Sequence, residues 1–459
     1  MAGSPIVQCV GSSYHLADTK AAIQSAINCY PERLDGDNWR MVGAPGEVLV
    51  AALGGEFRNQ RDCGGRWFVV AGATLYEQQT NGTNTVRGTL LTSTGFVGMA
   101  DNKTQLAIVD GANLYIYNLT SDTFAQVTAP AWRGSDDVWE LDGYFIFVDP
   151  ETDQFYLSAI DDGTSLDALD FTSADSAPDN ILAHCVSHRQ ALFFGDLTGE
   201  FWINSGGSAV EFPFVRYQSY TLDVGIVGKR ALTVAADTVF WVGKTRRGSG
   251  IVYMLAGNQP QRVSTIAVEQ AIASSNDVTL ATMWAYQVEG HEFVAVNAPG
   301  LTTTWVYDAA LQQWHERGEW DAGWQPLRSA HHIAFDGEIY AGDSAGNLVR
   351  LDNSVNNLNG RVMVRERTWP HLVQPSLEPI TFAGLEMAMK TGYGGNVTLQ
   401  ISNDGGQTFG PPLIRSLGAI GRWMQRIRWL GLGTASNRVF RLRCSDDVPF
   451  AVYNCAIDA

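Results

Sequence analysis

One strand–turn–strand phrase, repeated along most of the chain, limits what this sequence can become. Its clearest copy is residues 106–117, Leu-Ala-Ile-Val-Asp-Gly-Ala-Asn-Leu-Tyr-Ile-Tyr. Asp110-Gly111 is the turn, because Gly reaches positive φ without steric cost and Asp tolerates it. Beyond it Leu114 and Ile116 share one face, and Tyr115 and Tyr117 share the other. Both faces are apolar or aromatic, so the strand pair needs cover on two sides. That is the position of a propeller blade between neighbouring blades.

Further copies turn at Ala71-Gly72, Asp142-Gly143, Thr198-Gly199, Glu289-Gly290 and Asp336-Gly337, and a weaker one without Gly sits at Asp237. The turn positions 72, 111, 143, 199, 237, 290 and 337 are separated by 39, 32, 56, 38, 53 and 47 residues. That spacing brackets the roughly 40–50 residues of one four-stranded blade. The seven marks predict an all-β chain with a β-propeller of about six to seven blades, and a blade split between the two chain ends could change the count. Unrelated hairpins in a β-sandwich are the alternative reading of the same text.

The chain of 459 residues is too long for one ordinary core, so two domains or one large repeat fold is expected. The longest apolar runs are strand-sized, so no membrane span is predicted. The first 14 residues lack the basic start and apolar core of a secretion signal. Six cysteines, Cys9, Cys29, Cys63, Cys185, Cys444 and Cys455, show no pair spaced for a zinc ribbon or a redox motif. Reduced structural thiols are expected of a protein made in cytoplasm. Cys444 and Cys455 could face each other across a hairpin, which the sequence leaves open.

The net charge of −17 is unevenly spread. From Arg361 onward there are 11 Lys+Arg and 7 Asp+Glu, a net of +4, which leaves 20 and 41, a net of −21, for the first 360 residues. The change of sign coincides with the end of the repeated phrase. Three units follow: an N-terminal arm over 1–45, a β-propeller over 46–355, and a C-terminal β-sandwich over 356–459. The acidic body argues against ordinary nucleic-acid binding, which needs positive charge at phosphates. A basic unit beside an acidic one suits head-to-tail subunit contacts, although solvated charge alone would look the same.

In the arm, Asp18 could cap a short helix with Ala22, Ile23, Ala26 and Ile27 on one face, or the segment could be an extended strip lying over blades. Residues 263–274 carry an incomplete helical stripe. The polar stretch 161–180 reads as a long surface excursion, 353–360 as a linker, and the Trp-rich 305–324 as paired strands. In the C-terminal unit strands are expected at 380–389, 397–402, 423–430, 439–444 and 451–457. Its most specific signal is Ser402-Asn403-Asp404-Gly405-Gly406-Gln407-Thr408-Phe409. This resembles the Asp-box hairpin, in which Ser402, Asp404, Gly406, Thr408 and Phe409 fill the motif positions and the Asp ties the turn as a structural staple.

The chemical constellations are weak. His184 and His188 would sit about 13 Å apart along a strand, too far to share one metal. His331-His332 would point to opposite faces. Gly243-Lys244-Thr245 lacks the Gly-rich loop of a phosphate cradle, and no nucleophile elbow or EF-hand spacing occurs. No catalytic residue, metal site or cofactor is therefore predicted.

The order of features is similar to that of one family. An arm with Ile27-Asn28-Cys29-Tyr30-Pro31-Glu32 precedes a blade phrase at 67–76, a propeller follows, and a β-domain with the Asp-box-like turn ends in a basic strand pair over 438–443. This resembles the packaged-DNA stabilisation protein, or tail hub (nozzle), of short-tailed bacteriophages. The resemblance implies a structural, non-enzymatic virion protein, assembled in the host bacterial cytoplasm and located in the tail. It implies a ring, usually a homohexamer, below the portal and adaptor, extending the DNA channel without reading its sequence, retaining the genome, and anchoring spikes, fibres or a tail needle. An acidic channel wall that repels passing DNA fits the charge split. The competing readings are a sialidase-like propeller glycosidase, suggested by the Asp box, and a carbohydrate-binding adhesion module.

Overall fold

A computed structural model describes residues 9–36, 38–175, 177–206 and 212–458. Seven antiparallel units follow one another: residues 57–89, 98–127, 138–173, 181–222, 225–262, 282–320 and 330–352, each of four strands except the fifth, to which the short Gly225–Ile226 adds one, and the seventh, which has three. We number them blades 1 to 7. The first strands of successive blades lie against one another all the way round, and the first strand of blade 7 returns to that of blade 1. The ring of blades is therefore closed, with first strands at the axis and fourth strands at the rim. Blade 7 supplies only three strands from its own stretch of chain. Its fourth is Gly46–Ala52, antiparallel to Asn347–Asp352 with Leu351 opposite Glu47. Joining the two ends of the propeller in one blade removes the open edges that a linear array would expose.

The uneven spacing of the turns has a simple cause. In blades 1, 2 and 4 the marked turn joins the second and third strands; in blades 3, 5, 6 and 7 it joins the first and second. The same hairpin text is thus carried by two different corners of the blade. The turns also link blades. Asp110 accepts from Asn113 N–H (2.8 Å) and from Thr92 Oγ1 (2.7 Å), and Gly111, at φ 90°, exchanges backbone hydrogen bonds with Ser135 at the entry to blade 3. Asp142-Gly143, at φ 53° and 90°, hands a carboxylate to Arg189 of blade 4. Asp336-Gly337 turns with φ 48° and 79°, the double positive φ of a tight hairpin.

The C-terminal strands pack as two sheets. One runs in the order 29–33, 39–43, 451–458, 380–389, 427–435. The other is not a separate sheet at all. Blade 6 continues through Ile23–Ile27 into Arg365–Thr368, Val439–Cys444, Asn396–Ser402 and Leu413–Ser416. Between the layers lie Trp369, Trp429, Phe382, Phe440, Met387 and Leu442, all buried. Strands from the first 45 residues therefore enter both layers of the sandwich, and they also touch the propeller: Ile23–Ile27 pairs with blade 6, and Tyr30 packs on its Phe293.

Several local expectations change. Residues 18–27 form no helix: Ile23–Ile27 is a strand with Arg367 opposite Ala26 and Glu316 opposite Ile27. Two waiting strand edges outweigh a short helical stripe, since isolated short helices are marginal. Asp18 caps a turn instead, accepting from Lys20 N–H at 3.1 Å. The stretch 161–180 is largely the rim strand Asp162–Ser173 of blade 3, interrupted by a bulge. The strand expected at 423–430 instead begins at Ile427 and runs to Ala435, because 418–426 form a loop before it. Within the linker 353–360, Asn357–Leu358 pairs in parallel with Gly46–Ala52. The helical stripe at 263–274 becomes Ile266–Ala273, capped by Thr265, and among the described residues no helix is long and apolar enough to cross a membrane.

Candidate functional site: the junction of arm, propeller and sandwich

The region where blade 6, the arm and the sandwich meet concentrates the buried polar chemistry of the chain. Asn28 stands at its centre. It ends one strand, Ile23–Ile27, and the next, Cys29–Arg33, belongs to the other sheet, so the backbone must turn sharply between them. It does so at φ 53°, a left-handed conformation that Asn tolerates better than most residues. Its side chain donates to the carbonyls of Gly318 (2.7 Å) and Val364 (2.8 Å) and accepts from Gly318 N–H (3.1 Å). Its backbone N–H donates to Glu316 O, and its carbonyl accepts from Ala44 N–H. One residue thereby ties blade 6, the arm and the strand that opens the sandwich.

The same strand pair carries alternating charge. In Arg365–Thr368, Arg365 and Arg367 point one way and Glu366 the other, as period 2 requires. Arg367 is enclosed and donates to the carbonyls of Cys9 (3.2 Å), Ser12 (3.1 Å) and Ser25 (3.1 Å). Burial lowers its guanidinium to about 10, so it remains charged and holds the arm through carbonyl dipoles. Arg365 donates to Asn356 and to the Asp446 carbonyl. On the opposite face Glu366 receives Arg443 (2.5 Å) and the hydroxyls of Ser25 and Thr368.

A second buried carboxylate, Glu316 of blade 6, receives Thr303 Oγ1 (2.6 Å) and His15 Nε2 (3.2 Å). Burial works against charge at both groups. Their mutual attraction outweighs it, raising the His15 imidazole and lowering the Glu316 carboxyl. A third, Glu47, accepts from Ser329 Oγ (2.5 Å) and faces Arg361 (3.7 Å), which also meets Glu319 (3.0 Å). Burial raises Glu47. Paired buried charges of this kind fix geometry more than they add stability, because desolvation offsets most of the attraction.

The Asp-box-like hairpin abuts the arm. Asp404 accepts from Ser402 Oγ (2.6 Å), Thr408 N–H (3.0 Å) and Thr408 Oγ1 (2.6 Å), and these bonds hold its carboxyl far below the usual range. Phe409 lies under the Arg441 guanidinium at 3.7 Å. Gly406, at φ 86°, sits against Ile23, where a Cβ would come within 1.8 Å of its Cδ1. Gln407 donates to Thr19 Oγ1 (2.5 Å).

The propeller axis holds a cavity of about 450 Å³ lined by Arg61, Lys229, Arg230, Trp284, His331 and His332 among others. Its three cations each meet a carboxylate, Arg61 with Asp101, Lys229 with Asp136 and Arg230 with Asp137. Burial depresses His331 to about 4 and His332 to about 3, so both are neutral. No cluster of three or more His, Cys, Asp or Glu able to hold a metal occurs among the described residues. His184 is buried against Phe193 with its Nε2 on the Ile146 carbonyl, while His188 sits in the following turn beside Ser187. Lys244 pairs with Asp196. None of the six cysteines is in a disulfide, and all are buried. Cys444 and Cys455 lie on strands of opposite layers.

Sequence reading reached the segment 27–32 and the Asp-box-like turn but not their partners. Ser13, His15, Glu47, Glu316 and the Arg365-Glu366-Arg367 run were missed. The available signal was that run itself, three consecutive charges flanked by Val364 and by Thr368-Trp369 in a strand-rich unit.

Comparison with known proteins matches this architecture in chain order. The family described as Bacteriophage P22 Gp10, beta-propeller, matches residues 41–356, and Bacteriophage P22 Gp10, beta-sandwich, matches residues 365–459. The tail hub protein gp10 of Salmonella phage P22 is 24% identical over 234 residues, 48% of this chain and 48% of that protein. The match thus spans about half the length of this curated relative. Among solved structures, BamB from Moraxella catarrhalis is 12% identical, covering 72% of this chain and 98% of its own, with a TM-score of 0.38. The Cps50 (Swd1) β-propeller domain of Myceliophteria thermophila is 10% identical, covering 67% and 99%, with a TM-score of 0.43.

Proposed function

The chain belongs to the bacteriophage P22 Gp10 family, and on that premise we propose that it is a structural tail-hub protein whose copies close into a ring, a homohexamer, below the portal and adaptor of a short-tailed phage. The ring extends the DNA channel, retains the packaged genome and anchors spikes, fibres or a tail needle. It assembles in the host cytoplasm and resides in the virion tail. The observation that carries this reading is the continuous sheet through blade 6, the arm and the sandwich. A subunit that must bear load between a capsid and its tail needs its two domains welded rather than hinged, and a shared sheet with buried ion pairs is such a weld.

The axial cavity supports the same reading by its chemistry. A sialidase-like centre needs arginines available to a substrate carboxylate, whereas Arg61, Lys229 and Arg230 are each already neutralised. The net −21 of the first 360 residues favours a ring channel that repels DNA phosphates, so that DNA slides without sequence recognition. The test is a phage stock lacking this protein. Heads should fill and then lose DNA, and adding purified protein during assembly should restore retention, with a six-fold ring in axial images. Stable DNA-filled particles without the protein, or cleavage of labelled glycans by it, would overturn the proposal.

A further inference from the structure

Two exposed surfaces, an apolar groove beside an unpaired arginine on the sandwich and a leucine knob beside aspartates on the propeller rim, are suited to each other. The first is on the sandwich. Ile427–Ala435 is the edge of its layer farthest from the arm strands, and the loop before it projects Ile420, Trp423 and Met424, which are 85%, 62% and 90% exposed. Beside the loop lies an apolar groove of about 460 Å³ walled by Met389, Trp423, Met424, Tyr453 and Ala456. The loop and the strand after it carry Arg422, Arg426 and Arg428, and Glu386 is the acidic residue of the groove wall. Arg426 and Arg428 share Glu386, and Arg422 makes no ion pair among the described residues. The groove is therefore mainly apolar, its own charges Glu386 and Arg426 paired with each other, with the unpaired Arg422 next to Trp423 in the loop. A contiguous apolar patch of this kind on a soluble protein marks an interaction surface.

The second surface is on the rim of blade 3. Its outermost strand keeps register at Tyr156 opposite Phe171 and at Ser158 opposite Leu166, so one intervening residue faces four. The extra residues, 167–170, stand out as a knob with Leu169 81% exposed at its summit. Asp167 braces it by accepting from Leu169 N–H (2.9 Å), and Arg133 supports it from behind through the Ala168 carbonyl (3.0 Å). Asp167 and Asp170 flank Leu169 within the knob. The Asp170 carboxyl is raised by partial burial and by Asp167.

The sandwich is joined to the disc at blades 6 and 7. In a closed ring of seven, the blade across from that attachment is blade 3. Knob and groove therefore lie at opposite ends of one subunit, as a head-to-tail contact requires, and a contact of that type closes into a ring when its rotation does.

We propose that the Leu169 knob of one copy seats in the Met424–Trp423 groove of the next, with Asp170 facing Arg422. This rests on the ring reading above and names the contact that builds it. The test uses the purified full-length protein, with mass measured over a concentration series. Leu169→Asp and Met424→Asp alter exposed side chains and should leave the unfolding transition unchanged while raising the concentration needed for assembly by about tenfold or more. Asp170→Arg and Arg422→Asp should each do the same, and the two together should restore assembly. If the wild type forms rings and these variants match it, or the exchanged pair fails to recover, this contact is wrong while the ring stands. If the wild type remains monomeric throughout, the ring reading and this contact fall together.

Discussion

Replacing Asn28 tests whether one side chain couples the two domains. Its amide makes three hydrogen bonds, with Gly318 N–H, Gly318 C=O and Val364 C=O, in a site with no solvent exposure. Alanine removes all three and leaves the backbone partners buried without them. At about 1 kcal/mol net for each, the loss is about 3 kcal/mol. Alanine must also hold φ near 53°, which adds roughly 1 kcal/mol. Asn28→Ala should therefore destabilise by about 4 kcal/mol. Asn28→Gly escapes the backbone penalty and should lose about 3 kcal/mol. The assay is urea unfolding followed by tryptophan fluorescence, with limited proteolysis of the arm. Both variants should lower the midpoint and speed cleavage before residue 45. If Asn28→Gly unfolds within about 0.5 kcal/mol of wild type, a range typical of neutral surface changes, the hydrogen bonds do not couple the domains and the reasoning fails.

Three other outcomes are expected. Gly228→Ala places a Cβ within 1.9 Å of the Thr279 carbonyl oxygen, which is backbone and cannot swing aside; thermal unfolding should show a loss of about 2 kcal/mol or more. The His291 imidazole is raised chiefly by its 2.6 Å bond to Asp308. A raised pKa stabilises fully below the unfolded value near 6.5 and the contribution disappears as pH rises through the folded value. Unfolding midpoints should therefore fall as pH rises above about 6.5, and the fall should shrink in His291→Gln; an unchanged slope would assign the effect elsewhere. Burial pushes the Cys29 thiol up to about 12 and leaves all six cysteines enclosed. A thiol reagent at pH 8 should label none of them in the native protein within minutes and all six in urea, and rapid native labelling of Cys29 would contradict its place in the junction.

The hairpins were legible because their causes are local. Leu106–Val109, Asp110-Gly111 and Leu114–Tyr117 specify a turn and two strands from neighbouring residues alone, and the same holds at Asp142-Gly143 and Asp336-Gly337. Counting such marks was enough to indicate an all-β propeller followed by a sandwich, and the alternation of apolar and polar residues over 380–389 and 439–444 identified sandwich strands. The helix at Ile266–Ala273 was readable for the same reason, since Thr265 and the apolar spacing lie within one short window.

What the tertiary structure decided are pairings between residues far apart in the chain. Ile23–Ile27 carries a weak helical stripe, yet it becomes a strand because Arg365–Thr368 and Glu316 offer it edges from more than 280 residues away. Gly46–Ala52 has the pattern of any strand, and only closure of the ring makes it the fourth strand of blade 7. The charges of Arg367, Glu366 and Glu316 look like surface charges in sequence; folding buries them because each finds carbonyls or an opposite charge on another segment. Sequence by itself determined the hairpins and the order of the two domains, since hydrophobic period and turn chemistry act over a few residues. The weld between those domains depended on which edges remained unpaired once the hairpins had formed, and that is a property of the assembled chain.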